Sequence, residues 1–404
     1  MKPLLEGKTI LLGVSGSIAV YKTVDWARAL RRDGAVVRTI MTDTATRFVA
    51  PLTFAALTGN PVGTDMFLAA DTHLIPHISL ARQADCILLA PATATTLARL
   101  AHGLADNLLS AVVMAATAPV IICPAMNTNM LQHPATQANL ATLRRFGYRI
   151  IEPESGRMAC GEEGAGRLPD WDQVRETVLA ALRPQDLAGK TVLVSAGPTR
   201  EHLDPARFLG NRSTGKMGYA LARTARRRGA RVILVSGPTH LAPPPAVETV
   251  LVETAEEMNQ AIQTHVGEAD AVVMAAAVAD HRPANPAAVK LKKQTLAPVL
   301  ALTPTVDILH TLGRQKKKSG RPAVLVGFAA ESGALEMEGR RKLRAKNLDL
   351  IAVNDIGRAD CGFAADTNQV LVLHRSGRSL QLPLLGKEET ADRLWDAVIA
   401  LFPD

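Results

Sequence analysis

Two stretches of this chain open alike: KTILLGVSGS (8–17) and KTVLVSAGPT (190–199) each run from a lysine through an apolar string into a turn of small residues, 182 positions apart. After the first, the pattern predicts a helix from Ile18 to about Asp33, a stop at Gly34 and a strand in AVVRTIMT (35–42). After the second, KMGYALARTARRRG (216–229) leads into ARVILVSGP (230–238) in the same order. A strand, a helix and a second strand form a βαβ unit, whose crossover builds a parallel sheet covered on both faces. The repeat therefore predicts two α/β domains. RPQDLAGK (183–190) breaks the periodicity between them and sets the boundary at 1–187 and 188–404.

Further strands are expected at CILLAP (86–91), APVIICPAM (118–126), AVVMAAAVA (271–279), AVLVGFAAE (323–331) and LDLIAVND (348–355), with a closing helix from about Thr390 to Phe402. In the second half, Arg200 to Gly215 separates strand from helix, a length at which βα loops tend to carry function. Charge is unevenly placed. Residues 1–187 hold 17 Lys+Arg against 16 Asp+Glu, which leaves 29 against 22 for the rest and puts almost all of the net charge of +8 there. Fourteen aromatic residues are few for the stacking platforms of a nucleic-acid binder, so small anionic ligands explain that basicity better. Four scattered cysteines without a CxxC exclude a disulfide framework or a structural zinc site. With no long apolar run and no leader pattern, the chain reads as cytoplasmic, without a membrane span.

Several segments carry chemistry. The turn Ser15-Gly16-Ser17 presents backbone amides at a helix N-terminus, a place for a phosphate or simply a tight turn. It is not GxGxxG, and no acidic residue follows at the dinucleotide spacing, so a mononucleotide such as FMN suits it better than NAD. GNRSTGKM (210–217) comes close to a P-loop, but Met217 replaces the hydroxyl that would ligate magnesium; anion binding by Ser213, Thr214, Gly215 and Lys216 remains. His73 and His77 have the spacing of a helical metal pair, which Pro76 opposes. His77 reads as an ordinary residue or as a catalytic one. Cys160 in MACGEEGAGRL (158–168) is either a small buried hydrophobe or a thiol on a glycine-rich mobile flap, able to act as acid or nucleophile. Lys290, Lys292, Lys293, Lys342, Arg344 and Lys346 could neutralise a polyphosphate, while RQKKKSGR (314–321) reads as a solvated helix face.

Taken in order, GVSGSIAVYK, HISLARQAD, PATATT, PAMNTNM, ACGEEGAGR, AGPTREHLDPARFLGNRSTGKMG, AAAVADHRP, KLKK, VGFAAES and KNLDLIAVND strongly resemble the bifunctional coenzyme A biosynthesis family over nearly the whole chain. That family fuses phosphopantothenoylcysteine decarboxylase to phosphopantothenate–cysteine ligase. The resemblance implies an N-terminal flavodoxin-like three-layer α/β/α flavoprotein domain and a C-terminal Rossmann-like ligase domain.

For the first domain it implies FMN held by Gly16, Ser17, Ile18, Thr42, Thr93, Ala94, Thr95, Thr96 and Ala125, with His77 catalytic, Asn127 on the substrate carboxylate and Cys160 as proton donor. Oxidation of the cysteinyl thiol to a thioaldehyde makes loss of CO2 possible, and return of the electrons with a proton from Cys160 gives 4'-phosphopantetheine. For the second it implies CTP bound by Asp280, Lys290, Thr305, Val306, Asp307, Ile308, Phe328, Lys342 and Lys346, with Mg2+ accompanying the triphosphate. Asn211 belongs to an acyl-cytidylate that L-cysteine then captures, and Lys290 also counts as catalytic. The substrates so implied are CTP, 4'-phosphopantothenate, L-cysteine and 4'-phosphopantothenoylcysteine, with no nucleic-acid or membrane partner. Assembly is expected as a homo-oligomer, a dodecamer of trimeric decarboxylase cores and dimeric ligase domains. Departures from the family pattern are Thr95 in PATATT, TPTVDI at 303–308, Arg212 and Thr214 beside Lys216, and Leu168 after the flap.

Overall fold

The computed structural model describes residues 3–67, 75–158, 161–292, 299–355, 357 and 365–402. Contacts divide the chain into two compact units, residues 2–184 and 185–404. In the first, strands β1 (Thr9–Val14), β2 (Val36–Met41), β3 (Val62–Gly63), β4 (Cys86–Ala92), β5 (Val120–Pro124) and β6 (Arg149–Ile150) form one parallel sheet in the order β3-β2-β1-β4-β5-β6. Successive side chains of β1 go to opposite faces. Ile10, Leu12 and Val14 join Trp26, Leu30 and Val178 in one core, while Leu11 joins Leu97, Leu109 and Leu143 in the other. Burial on both faces is why the strands read as unbroken apolar strings. β7 (Glu154–Arg157) and β8 (Glu163–Arg167) pair separately as an antiparallel hairpin.

The second unit contains β9 (Thr191–Ala196), β10 (Arg200–Asp204), β11 (Arg207–Gly210), β12 (Arg231–Ser236), β13 (Glu248–Leu251), β14 (Ala271–Met274), β15 (His281–Pro283), β16 (Leu302–Pro304), β17 (Val324–Glu331), β18 (Leu350–Asp355), β19 (Thr367–Asn368), β20 (Val370–His374), β21 (Ser379–Gln381) and β22 (Leu385–Gly386). Its main sheet runs β13-β12-β9-β14-β17-β18-β20-β21, parallel up to β18 and antiparallel beyond. Numbered within each unit, the parallel strands stand third, second, first, fourth, fifth, sixth in both. The repeat in sequence is thus a repeat of doubly wound topology, and each sheet reverses direction of winding beside its first strand, where such folds place ligands.

Four local readings are corrected. The span Arg200 to Gly215 is not an open loop: β10 and β11 form a hairpin, locked by Asp204, whose carboxylate takes Arg207 and the amides of Ala206, Arg207 and Leu291. The strand expected through Ala279 ends at Met274; beyond it Ala276 and Ala279 bond to side chains, and a single parallel bridge pairs Ala277 with Pro198. Lys316 is not a solvated cation: its side chain is 12% exposed, donates to the Pro322 carbonyl and meets Asp349 at 2.7 Å. The last helix is Lys387–Ile399, starting three residues earlier than its apolar pattern suggests. Among the described residues no helix is long and apolar enough to cross a membrane.

That last helix packs on helix Lys216–Arg227, with Trp395 fully buried and its Nε1 donating to the Leu221 carbonyl and to Thr224 Oγ1, both at 3.1 Å. Arg228, 5% exposed in its side chain, ties the arrangement to the start of the unit through Asp186 (2.6 and 2.8 Å) and Asp396 (2.8 Å). Arg228→Met is expected to lower the stability of this unit by about 2 kcal/mol at pH 7, a value discounted for the partial exposure of both carboxylates. Hydrogen bonding from Arg228 holds the Asp186 carboxyl below its ordinary value. The stabilisation is therefore complete above the ordinary carboxylate range and fades as the pH falls through the depressed value. Denaturant unfolding should show the deficit undiminished at pH 6 and shrinking below about pH 4.

Candidate functional site

In the first unit, the C-terminal ends of β2, β1, β4 and β5 meet at the winding reversal. Ser15, buried after β1, donates to the Pro91 carbonyl at 2.7 Å and accepts from the Thr93 amide at 2.9 Å, pinning the loops after β1 and β4 together. Gly16 follows, and a Cβ there would lie 2.6 Å from Thr44 Cβ. Only glycine lets the turn after β1 approach the helix that follows β2 so closely. The helix opens at Val20, two residues later than its pattern suggests, because Ser17 Oγ accepts from the Ala19 amide and leaves exposed Ile18 in the turn. Thr42 caps helix Asp43–Thr46, and Thr93 caps helix Ala94–Ala101, where Thr96 is buried and Thr95 is exposed. Ala125 follows β5, its amide on the Ala92 carbonyl. The edge is a row of small residues, hydroxyls and helix starts, suited to a phosphate-bearing ligand.

Ser17, Ile18, Ala125 and Asn127 line one cavity of about 500 Å3 together with Arg157 and Arg167. Gly16, Thr42, Thr93 to Thr96 and His77 are not among its lining residues. His77 lies in the first turn of helix Pro76–Gln83, with Pro76 as its first residue; Nδ1 is buried and has no hydrogen-bond partner among the described residues. His73 and Cys160 lie outside the described residues. Cys86 and Cys123 are buried, and burial pushes the Cys86 thiol up to about 12, so both act as inert hydrophobes.

The segment expected as a mobile glycine-rich flap is, where described, the β7–β8 hairpin. Among the bonds that hold it to the chain after β5 are the Met126 amide to the Gly166 carbonyl (3.0 Å), Thr128 Oγ1 to the Ala165 carbonyl (2.8 Å) and Asn127 Nδ2 to Glu162 Oε2 (2.7 Å). Glycine creates this structure as well as loosening it, since Gly166 takes a φ of +148° that brings its backbone onto Met126. Asn127, expected on a substrate carboxylate, already holds the carboxylate of Glu162.

In the second unit the corresponding edge is built differently. Beyond β14 the chain is carried by Ser195 Oγ, which accepts from Ala276, by Thr199 Oγ1, which accepts from Ala279, and by Asn211 Nδ2, which donates to the Ala277 and Val278 carbonyls at 3.0 and 3.2 Å. Opposite, Gly215 (φ +77°) precedes helix Lys216–Arg227, and Gly218 packs so tightly that a Cβ would sit 2.5 Å from Ala196 Cβ. The cavity between them measures about 480 Å3.

Asn211, Asp280, Thr305, Val306, Asp307, Ile308, Phe328, Lys342 and Lys346 all line it. Lys290 does not; it is exposed on the segment that Asp204 and Arg207 anchor through Leu291. Cations around the cavity rest on carboxylates: Lys342 on Glu331 (2.6 Å), Lys346 on Asp307 (2.9 Å) and Lys216 on Asp366 (2.6 Å). Burial would raise the Asp307 carboxyl, but Lys346 and the His310 amide outweigh it and leave the group below its ordinary value. Each pair is a cation neutralised in advance, which a polyanion can take over by displacing the carboxylate.

Lys387 and Asn368, which also line the cavity, escaped the reading of the sequence. Lys387 had a signal: it opens a helix, at the end where the dipole disfavours a cation, so its placement needs another cause. Glu162 and Glu331 had none, since a carboxylate beside glycine or at a strand end is ordinary.

Two doubly wound units define a class, the pantothenate-metabolism flavoproteins: residues 2–183 match the Flavoprotein family and residues 187–401 the DNA/pantothenate metabolism flavoprotein C-terminal domain. The coenzyme A biosynthesis bifunctional protein CoaBC of Bacillus subtilis (strain 168) is 45% identical over 402 residues, covering 98% of each chain. The protein of that name from Mycobacterium tuberculosis (strain H37Rv) is 44% identical over 407 residues, 97% of this chain and 96% of its own. Among solved structures, the C-terminal domain of a CoaBC is 42% identical, with a TM-score of 0.46, and covers 54% of this chain and 97% of its own. The chain belongs to the bifunctional coenzyme A biosynthesis family, which joins phosphopantothenoylcysteine decarboxylase to phosphopantothenate–cysteine ligase.

Proposed function

We propose that residues 188–404 activate 4'-phosphopantothenate with CTP and join it to L-cysteine, and that residues 1–187 decarboxylate the resulting 4'-phosphopantothenoylcysteine with FMN. The observation that carries the first half is the ring of Lys216, Lys342 and Lys346 around one cavity, each set on a carboxylate. A carboxylate oxygen of 4'-phosphopantothenate attacks the α-phosphorus, the bond to the β-phosphate oxygen breaks, and pyrophosphate leaves. Lysines released from their carboxylates stabilise the charge that builds on the phosphoryl oxygens and on the leaving group. Cysteine nitrogen then displaces cytidine monophosphate. Mg2+ would arrive with the triphosphate; among the described residues no group of three or more His, Cys, Asp or Glu could hold a metal ion.

In the first unit the loop edge fits FMN. The Gly16 approach, the amides around Ser17 and Ile18, and the caps Thr42 and Thr93 form a cradle of small groups and donors. FMN, when bound, supplies the two-electron oxidation that makes the carboxylate labile and later returns the electrons. The chain's own residues orient and protonate. Asn127 Nδ2, now 2.7 Å from the Glu162 carboxylate, transfers to the substrate carboxylate, binding it without adding positive charge that would oppose its departure. His77 is proposed as catalytic and Cys160 as proton donor. Lys290 stays a candidate for the nucleotide, reached by movement of its segment. Cytoplasmic assembly as a dodecamer, from trimeric and dimeric contacts, belongs to the same reading.

Two measurements test it on the purified protein. A visible flavin spectrum is expected, and a colourless protein that takes up no FMN would overturn the decarboxylase reading. Pyrophosphate should appear with CTP, Mg2+, 4'-phosphopantothenate and cysteine; none would overturn the ligase reading.

A further inference from the structure

At the end of the ligase cavity nearest the last helix, Lys387, Asn368 and Lys216 meet. Lys387 is 8% exposed and is the first residue of helix Lys387–Ile399; its amide donates to the Asp366 carbonyl at 3.2 Å. Asn368, 3% exposed, donates through Nδ2 to Met217 Sδ at 3.3 Å, and its Oδ1 has no hydrogen-bond partner among the described residues. Asn368 lines the cavity, and a buried, unpartnered amide oxygen there invites a ligand that donates a hydrogen bond. Triphosphate and carboxylate groups lack such a donor, whereas an amine has one.

We propose that this corner is the cysteine subsite of the ligase and that Lys387 is the general base of amide formation. The proposal rests on the reading of the cavity as the site of the acyl-cytidylate. Asn368 accepts from the α-nitrogen of cysteine and aims it. Nitrogen attacks the acyl carbon, a C–N bond forms, and the bond from that carbon to the phosphate oxygen breaks, so cytidine monophosphate leaves with the electron pair. The proton shed by nitrogen passes to Lys387 Nζ.

For this the lysine must be neutral in part of the population, and its surroundings favour that. Burial is the largest influence and Lys216, on the facing helix, the next; against them Asp366 favours the charged form, and the result is a pKa lowered to about 8. The N-terminal end of its own helix adds positive potential. On that helix Glu388 is bound to Arg223 and Arg227 at 2.7 Å each. Lys342 and Lys346 are matched to carboxylates; Lys387 lies buried at the same cavity, where burial and Lys216 favour the neutral amine. A base with a pKa near the working pH is the most effective kind.

Lys387→Arg separates a base from a mere cation, since guanidinium keeps the charge and gives up no proton. With CTP, Mg2+ and 4'-phosphopantothenate, the acyl-cytidylate is captured by either cysteine or hydroxylamine, a weakly basic nucleophile that needs no base. The ratio of cysteine capture to hydroxylamine capture is expected to fall about 10²-fold in Lys387→Arg. Lys387→Gln should behave the same way, with thermal unfolding close to that of the parent enzyme in both. The ratio of parent to Lys387→Gln rates with cysteine should rise through about pH 8, the cysteine's own titration cancelling. Arginine sustaining cysteine capture, or equal losses with both nucleophiles, would overturn the base. If the parent enzyme captures neither nucleophile, the reading of the cavity fails and this proposal with it.

Discussion

Asn211→Asp is expected to slow pyrophosphate release about 10³-fold while decarboxylation of supplied 4'-phosphopantothenoylcysteine proceeds at the parent rate. The geometry sets the size of the effect. Asn211 Nδ2 makes two donations, to the Ala277 and Val278 carbonyls at 3.0 and 3.2 Å, and these carry the chain from the end of β14 towards Asp280. Aspartate has no hydrogen to give. Its carboxylate would face two carbonyl oxygens at the same distance and repel the segment that the amide now holds. It would also add a negative charge to a cavity whose cations Lys216, Lys342 and Lys346 are already matched to carboxylates. Displaced positioning and weakened electrostatic stabilisation together account for a loss at the upper end of what a single polar group supplies. Asn211→Ala removes the donations without the repulsion and should lose about tenfold less. Equal loss of both activities in Asn211→Asp would mean a misfolded chain, whereas pyrophosphate release at the parent rate would refute the assignment.

What could be read in advance divides along a physical line. The architecture was legible because strands buried on both faces feed two cores at once. Thus Ile10, Leu11 and Leu12 in β1, like Val192, Leu193 and Val194 in β9, cannot be polar anywhere. The motif order carried the family, and nine expected positions meet at one cavity in the second unit. Features created by distant partners escaped. AVVMAAAVA stays apolar to Ala279, yet the continuous ladder stops at Met274: beyond it Ser195, Thr199 and Asn211, 66 to 81 residues earlier, bond the chain, and a single parallel bridge pairs Ala277 with Pro198. Lys316 looks identical to its neighbours Lys317 and Lys318 until Asp349, 33 residues later, closes on it. The same holds for Asn127. A local motif marks the amide as available for a carboxylate, but nothing local shows that Glu162, 35 residues on, occupies it first. On the role proposed for Asn127, substrate would compete with the protein's own carboxylate, a cost in binding that the motif does not disclose.

Gly166→Ala is expected to reduce decarboxylation by more than about 10²-fold, with pyrophosphate release by the second unit unaffected. A Cβ at this position would lie 2.1 Å from the Met126 carbonyl oxygen, a backbone atom that cannot swing aside. The Met126 amide also donates to the Gly166 carbonyl at 3.0 Å, so the clash falls on the rung that joins β8 to the chain after β5. Relief requires β8 to retreat by about 1 Å, and a displacement of that size at a reacting group is enough for such a loss. The retreat would pull Ala165 from Thr128 and carry the hairpin away from Asn127, on the wall of the cavity that Gly166 itself lines. A φ of +148° adds strain for any residue with a side chain. Gly147→Ala isolates that second contribution, since Gly147 has a φ of +86° with nothing within 4 Å of the added carbon. It should lower thermal stability slightly and leave both rates in place. The flavin spectrum should persist in Gly166→Ala, because Gly16, Thr42 and Thr93 are held by contacts among the β1, β2 and β4 loops that do not involve the hairpin. Parent-level decarboxylation in Gly166→Ala would show that the hairpin's seat on Met126 is irrelevant to catalysis.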